Sequence, residues 1–340
     1  MRHALVPVLL MALSGAAGAQ SPICEGRNLF DTMSAEQAAV IEAAVEGVPF
    51  RRGLLFEATR GDQRITLAGT YHFDDPRHQQ MVERLRPLIA EAATLFVEAG
   101  PDEEARLTRA LTEDPTLMVD PTGPTLPERL SDEEWQALAA AMSDRGTPAI
   151  LASRMRPWYV SMMLGISPCM IRTMAEQGGQ VAGLDHLLTA EALEAEVPVR
   201  ALEPWDTVFT LFADLTPQQE IDMIRASLPA ASHADDYAVT LTDAYFAEDV
   251  WKIWEFGRFD AYANSGLPRD EVDQQMELAQ GRLMDDRNRA WIAPLTAGAA
   301  EAAAEGKAVV AAFGALHLPG EAGVLNLLKN EGFQITRLER

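Results

Sequence analysis

The stretch Lys307-Ala-Val-Val-Ala-Ala-Phe-Gly-Ala-Leu-His317 decides how the chain is read. Its apolar, β-prone run from Lys307 to Phe313 predicts a strand buried on both faces. Gly314 breaks the run, and a histidine follows three residues later. Beyond it, Glu321–Asn330 carries a helical pattern, Gly332 ends it, and Phe333–Leu338 alternates as a strand. The same grammar occurs near the other end of the chain. Leu54–Thr59 and Arg64–Ala68 predict two strands joined by a turn at Arg60-Gly-Asp-Gln63, and the second strand runs into Gly69-Thr-Tyr-His72. Arg77–Ala92 then places Met81, Leu85, Leu88 and Ile89 on one helical stripe, and Thr94-Leu-Phe-Val97 predicts a short strand ending at Glu98. Two βαβ units, each with Gly-x-x-His after its first strand, predict an α/β fold with a small, mostly parallel sheet and right-handed crossovers. The units occupy about 54–100 and 306–340 and frame a large helical insertion of about 101–305.

Capping boxes mark helix starts outside these units. Ser34-Ala-Glu-Gln37, Ser131-Asp-Glu-Glu134 and Thr216-Pro-Gln-Gln219 each pair a capping hydroxyl with an acid or amide three residues on. The short apolar run Ala149–Ala152 reads as a strand, and residues 235–259 and 270–291 read as long helices. Met1-Arg-His3, the apolar run Ala4–Leu13 and Ala17-Gly-Ala19 have the layout of a signal peptide cleaved after Ala19. That predicts a periplasmic or secreted protein. The apolar run is about half of the roughly 20 residues needed to span a bilayer, and no longer one follows. No integral membrane segment is expected after cleavage. In an oxidising compartment the two cysteines, Cys24 and Cys169, are expected to form one disulfide.

The charge narrows the partners. Among 340 residues, 28 Lys+Arg face 51 Asp+Glu, a formal net charge of −23. Nucleic-acid binding needs a positive surface to release counterions, so a nucleic-acid partner is excluded.

No contiguous catalytic signature is present: the sequence has no His-Glu-x-x-His, Gly-x-Ser-x-Gly, phosphate-binding Gly-rich loop or Cys-x-x-Cys. Any active site must be assembled from separate segments. His72 and His317 both lie just beyond strands whose carboxyl ends, in an open α/β sheet, border the ligand crevice. Glu98 ends a strand in the same way. Two imidazoles and a carboxylate suit a catalytic divalent ion with an open position for water. Arg287, on a helix before the last unit, either holds a substrate carboxylate or oxyanion or makes a salt bridge to Asp285 or Glu98. His186 and Glu203 are further pocket candidates. His78 reads as solvated or as a supporting neighbour, and His233 reads as a surface residue.

The order Asp285-Asp-Arg-Asn288, Val310-Ala-Ala-Phe-Gly-Ala-Leu-His-Leu-Pro-Gly-Glu321 and Gly332-Phe333, preceded by Leu67-Ala-Gly-Thr-Tyr-His72, resembles the TraB/GumN family. Pro157-Trp158, Gly183-Leu-Asp185 and Leu202-Glu203 agree with it, and the resemblance covers roughly residues 50 to 340. It implies a relation to the Tiki proteins, metal-dependent peptidases that use two Gly-x-x-His motifs and a glutamate. It also implies a fold shared with erythromycin-esterase-like and haem-binding ChaN-like proteins. On this resemblance His72, Glu98 and His317 would hold a divalent ion (Mn, Co or Zn) and Arg287 would be the site's arginine. The expected function is an exported metal-dependent peptidase acting on a peptide or other small substrate. A metal-independent, esterase-like hydrolase and a non-catalytic binding protein for peptide, haem or glycan are the alternatives.

Overall fold

The computed structural model describes residues 24–176 and 183–339, so the expected signal peptide, residues 1–19, lies outside the described residues. The strands are β1 (Leu55–Arg60), β2 (Gln63–Thr70), β3 (Leu95–Val97), β4 (Val199–Ala201), β5 (Val309–Gly314) and β6 (Gln334–Arg337). They form one sheet in the order β4-β3-β5-β2-β1-β6. The hairpin β1–β2 is antiparallel, with Arg60 opposite Gln63. Strand β5 runs parallel to β2 on one side and to β3 on the other, and β3 is parallel to β4. Strand β6 pairs antiparallel with β1.

The sheet is therefore mixed, which corrects the expectation of a mostly parallel one. The cause is the lack of a free edge on β5. Both its sides are taken, by β2 and β3, so the last crossover passes over the hairpin and ends on the open side of β1. A second correction concerns the insertion, which contributes the edge strand β4.

In chain order the helices are α1 (Ala35–Val45), α2 (His78–Ala90), α3 (Pro101–Glu113), α4 (Leu126–Arg129), α5 (Asp132–Asp144), α6 (Ala149–Ala152), α7 (Pro157–Leu164) and α8 (Pro168–Glu176). They continue with α9 (Leu184–Glu194), α10 (Thr207–Thr210), α11 (Pro217–Ala231), α12 (Ala234–Phe246), α13 (Val250–Asn264), α14 (Arg269–Gln280), α15 (Asp286–Ala304) and α16 (Val324–Asn330). All three expected capping boxes form, opening α1, α5 and α11. Ala149–Ala152 is helical, not a strand: Ala152 and Ser153 donate to the carbonyls of Pro148 and Ala149. The expected helix at 235–259 divides into α12 and α13, separated at Glu248, whose φ is +59°. The one at 270–291 continues through α14, a π-helical turn at Gly281–Asp285, and α15.

The core has two faces because β5 is buried throughout and its side chains alternate. Val310 and Ala312 pack with Leu95 and Val97 under Met81, Leu85 and Ile89 of α2 and Leu184 and Leu188 of α9. Val309, Ala311 and Phe313 pack with Phe96 under Trp291, Leu295 and Ala299 of α15 and Leu325 and Leu328 of α16. Each large side chain so buried contributes about 1.5–3 kcal/mol. The result is a helix–sheet–helix sandwich. The insertion has its own core, in which Leu138, Met142, Val160, Leu164, Ile221 and Ile224 join α5, α7 and α11. Buried Arg145 ties it together by donating to the carbonyls of Ala141, Met163, Leu164 and Ile166.

The expected disulfide joins Cys24 to Cys169, with 5.7 Å between Cα atoms. Its cluster with Met170 and Ala238 also takes Tyr71 and Phe73, the neighbours of His72. Among the described residues no helix is long and apolar enough to cross a membrane.

Candidate active site

Strands β2, β3 and β5 run in one direction, with Thr70 opposite Gly314 and Val97 opposite Ala312. Their carboxyl ends therefore share one rim of the sheet. His72, Glu98 and His317 follow those ends, and Gly314 is the point on which they converge. A Cβ at Gly314 would lie 3.1 Å from Glu98 Oε1, 3.3 Å from His72 Nε2 and 3.5 Å from His317 Cδ2. The glycine of the second motif thus leaves room for all three side chains. The glycine of the first motif permits a different approach: a Cβ at Gly69 would come within 2.7 Å of Leu318 Cδ1 and 3.0 Å of Ala315 Cα. One glycine opens the site, and the other lets the two motif turns touch.

Glu98 is held from two sides. Gly314 N–H donates to Oε1 at 2.5 Å, and Arg287 Nη2 donates to Oε2 at 2.7 Å. Arg287 lies in the first turn of α15, two residues after the π-helical segment, a distortion frequent at functional sites. Its Nε and Nη2 form a two-pronged pair with Glu203 at 2.6 and 2.9 Å, and Nη1 reaches Leu283 O at 2.9 Å and His317 Nε2 at 3.3 Å. Of the partners expected for Arg287, Glu98 is present. Asp285 instead lies 4.0 Å from Arg289. Glu203 is placed by β4: its N–H donates to Glu98 O at 3.1 Å, and its carboxylate also accepts from Trp291 Nε1 at 3.0 Å.

The two histidines share a motif and differ in surroundings. His317 is buried, with its ring 4.4 Å from that of Trp291. Asn288 Nδ2 donates to Ala322 O at 2.9 Å, which turns Asn288 Oδ1 toward His317 Nδ1 at 2.6 Å. Nδ1 is thereby assigned the proton, and Nε2 presents its lone pair to the site. Burial pushes the pKa of His317 down to about 4, so the ring is neutral near pH 7.

The His72 side chain is 53% exposed and has Asp185 Oδ1 3.4 Å from Nδ1. Burial works against its charge, but Asp185 and Glu98 outweigh that and raise its pKa to about 9. For Glu98 burial also opposes the charge, and its cationic neighbours with the Gly314 N–H bring the pKa down to about 2. Asp185 is held well below the usual carboxylate range: burial opposes its charge, and His186 and His72 prevail. His186 continues the chain, with Nδ1 3.1 Å from Asp185 and Nε2 3.0 Å from Glu104, and its pKa rises to about 10.

His72, Glu98, Arg287 and His317 are thus brought together, and Glu203 joins them. His186 adjoins them through Asp185. His78 is neither solvated nor beside the rim: it is buried among Tyr71, Tyr245 and Phe246, and its Nε2 lies 3.0 Å from Phe73 O. His233 is partly covered, 3.7 Å from Asp260. Sequence reasoning gave no role to Asp185 or Asn288, although both lie in the quoted motifs. Their signal was adjacency, each being one position from a singled-out His or Arg at a helix start.

The donors suit a divalent ion in chemistry but not in placement. Among the described residues no group of three or more His, Cys, Asp or Glu is arranged to hold a metal. Arg287 stands in the way, since its donors engage both Glu98 and His317 Nε2.

Fold and rim define an α/β sandwich with a His–Glu–His–Arg cluster whose two histidines come from echoing turns, its glutamate from the end of β3 and its arginine from α15. A profile of the TraB/PrgY/gumN family matches residues 54–337, and the chain belongs to that family. A search of curated proteins returned no match.

Proposed function

We propose that this protein is an exported hydrolase of peptides or other small acyl substrates, working by acid–base chemistry at the sheet rim. The observation that carries the reading is the convergence of His72, Glu98 and His317 on the space left by Gly314. Water that displaces the 3.3 Å contact from Arg287 would reach His317 Nε2. As the water oxygen bonds to the substrate carbonyl carbon, its proton passes to His317 Nε2. His72, charged and open to solvent, gives its Nε2 proton to the leaving nitrogen or oxygen as the old bond breaks. Proton exchange with solvent then restores both rings. Glu98 Oε1, 3.8 Å from His317 Nε2, stabilises the imidazolium that forms there. Arg287 keeps Glu98 and Glu203 in position. Two groups whose surroundings drive their pKa values apart are a recognised basis for assigning acid and base.

A divalent ion (Mn, Co or Zn) held by His72, Glu98 and His317 is the second reading. It is supported by the donor set, since His72, Glu98 and His317 all border the space left by Gly314, and it requires Arg287 to give up its contacts with Glu98 and His317 Nε2. Metal analysis with peptide-library hydrolysis separates the two. The acid–base reading expects turnover that survives chelation and no stoichiometric metal. Stoichiometric Mn, Co or Zn that is lost in His72→Ala, with turnover abolished by chelator, would establish the metallopeptidase instead. Tight peptide, haem or glycan binding without hydrolysis of any substrate would replace both with a binding function.

A further inference from the structure

A cavity of 220 Å³ opens beside the reacting groups, and the mechanism above leaves it unused. Leu107 of α3, Trp205, and Val208 and Leu211 at α10 line it, together with Glu98 and Arg287. Glu98 and Arg287 are mostly buried and form its inner end, while Glu104, half exposed, belongs to its outer side. Its volume equals that of about seven molecules of liquid water. That is room for one large side chain, and less than the roughly 300 Å³ at which pockets for whole drug-sized ligands begin.

Charge selects among side chains. Glu98, Glu103, Glu104 and Glu203 all line the cavity, and Arg287 is already paired with two of them. An acidic side chain entering here would meet carboxylates and no free cation. Glu98 and Glu203 are engaged by Arg287 and Glu104 by His186, and the walls made by Leu107, Trp205, Val208 and Leu211 offer a polar group no bond, which makes burying one there costly. We infer that this cavity is the specificity subsite of the enzyme and receives a bulky uncharged apolar side chain, aliphatic or aromatic, from the substrate residue next to the scissile bond. The inference rests on the hydrolase reading for the identity of its occupant.

The test uses acetylated peptide amides that differ only at one residue: Leu, Phe, Gly, Glu or Lys. The expected result is a kcat/KM for Leu and Phe at least about tenfold above Gly, Glu and Lys, the scale on which a pocket reads added methylenes, and a preference for Lys overturns the apolar subsite. Val208→Trp, which fills the cavity, should collapse the Leu-to-Gly ratio toward one. Leu107→Ala, which widens it, should move the preference from Leu to Phe. Turnover with no side-chain preference, or with a preference that both variants leave untouched, overturns the subsite while the hydrolase reading stands. If no peptide is turned over, the hydrolase reading fails and calorimetric titration with the same peptides decides the subsite. Tighter binding of the Leu and Phe peptides that is lost in Val208→Trp upholds it. Equal or absent binding across the series overturns it.

Discussion

The Gly69-to-His72 turn and the Gly314-to-His317 turn share a pattern, follow parallel neighbouring strands and end at one rim, yet their histidines are electrostatic opposites. His317 is sealed beneath Trp291 and held by a neutral amide, Asn288, so it stays uncharged. His72 is half exposed and faces a carboxylate, Asp185, so it carries a charge. The motif therefore fixes position, while the helices packed over each turn fix protonation. Helix α15 brings Asn288 and α9 brings Asp185. The link between turn and helix is direct in the first case, where Leu184 N–H at the start of α9 donates to Tyr71 O at 3.0 Å.

Removing each ring in turn tests whether the opposites work as a pair, and this is the largest effect expected. His317→Ala and His72→Ala should each lower kcat by about 10²–10⁴-fold, the usual worth of a positioned acid or base. Circular dichroism should stay unchanged, because neither ring supplies a backbone hydrogen bond. A loss below tenfold in either variant would break the pairing and leave that ring a structural role.

Exchanging the orienting partners sharpens the comparison. A base must be free of its proton and an acid must hold one, so kcat/KM should fall below about pH 4 as His317 protonates and above about pH 9 as His72 loses its proton. Asp185→Asn withdraws the charge that sustains His72, and its pKa should drop from about 9 toward the ordinary 6.5. The basic limb should move down by about 1–3 pH units. Asn288→Asp places a carboxylate on His317 and should move the acid limb upward. Limbs that do not move would show that the two partners position the rings without setting their charge.

How much of this was legible in the sequence follows the same division. Strand β5 and the hairpin were readable because Val309–Phe313 is unbroken and β-prone, and because Gly61 punctuates the hairpin. Glu98 was readable as the residue ending an apolar triplet. Strand β4 was not: Val199, Arg200 and Ala201 form a partly exposed edge with no periodicity, and its existence depends on pairing with β3. Without β4, Glu203 could not be tied to Arg287. The four apolar residues Ala149–Ala152 suit either state, and the hydrogen bonds to Pro148 and Ala149 settle it as helix. Strand β6 was readable as a strand, but its partner was not, because occupation of both edges of β5 is a property of the assembled sheet. Asp185 and Asn288 were on the page as letters. Their roles depend on where a helix end lands, which no local pattern encodes.

The two motif glycines give the smallest expected effect and the finest contrast. At Gly69 the obstructing atoms belong to Ala315 backbone and to Leu318, a fully buried side chain. Gly69→Ala should therefore overpack the junction of the two turns and cost about 1–3 kcal/mol in denaturant unfolding. At Gly314 the obstructing atoms are the ends of Glu98, His72 and His317 at 3.1–3.5 Å, which can yield by a few tenths of an ångström. Gly314→Ala should cost less stability than Gly69→Ala but take a larger share of turnover, because the atoms it displaces are the reacting ones. Equal ratios of lost stability to lost turnover in the two variants would mean that Gly314 is only a packing glycine, and that the space around it is not where water and substrate meet.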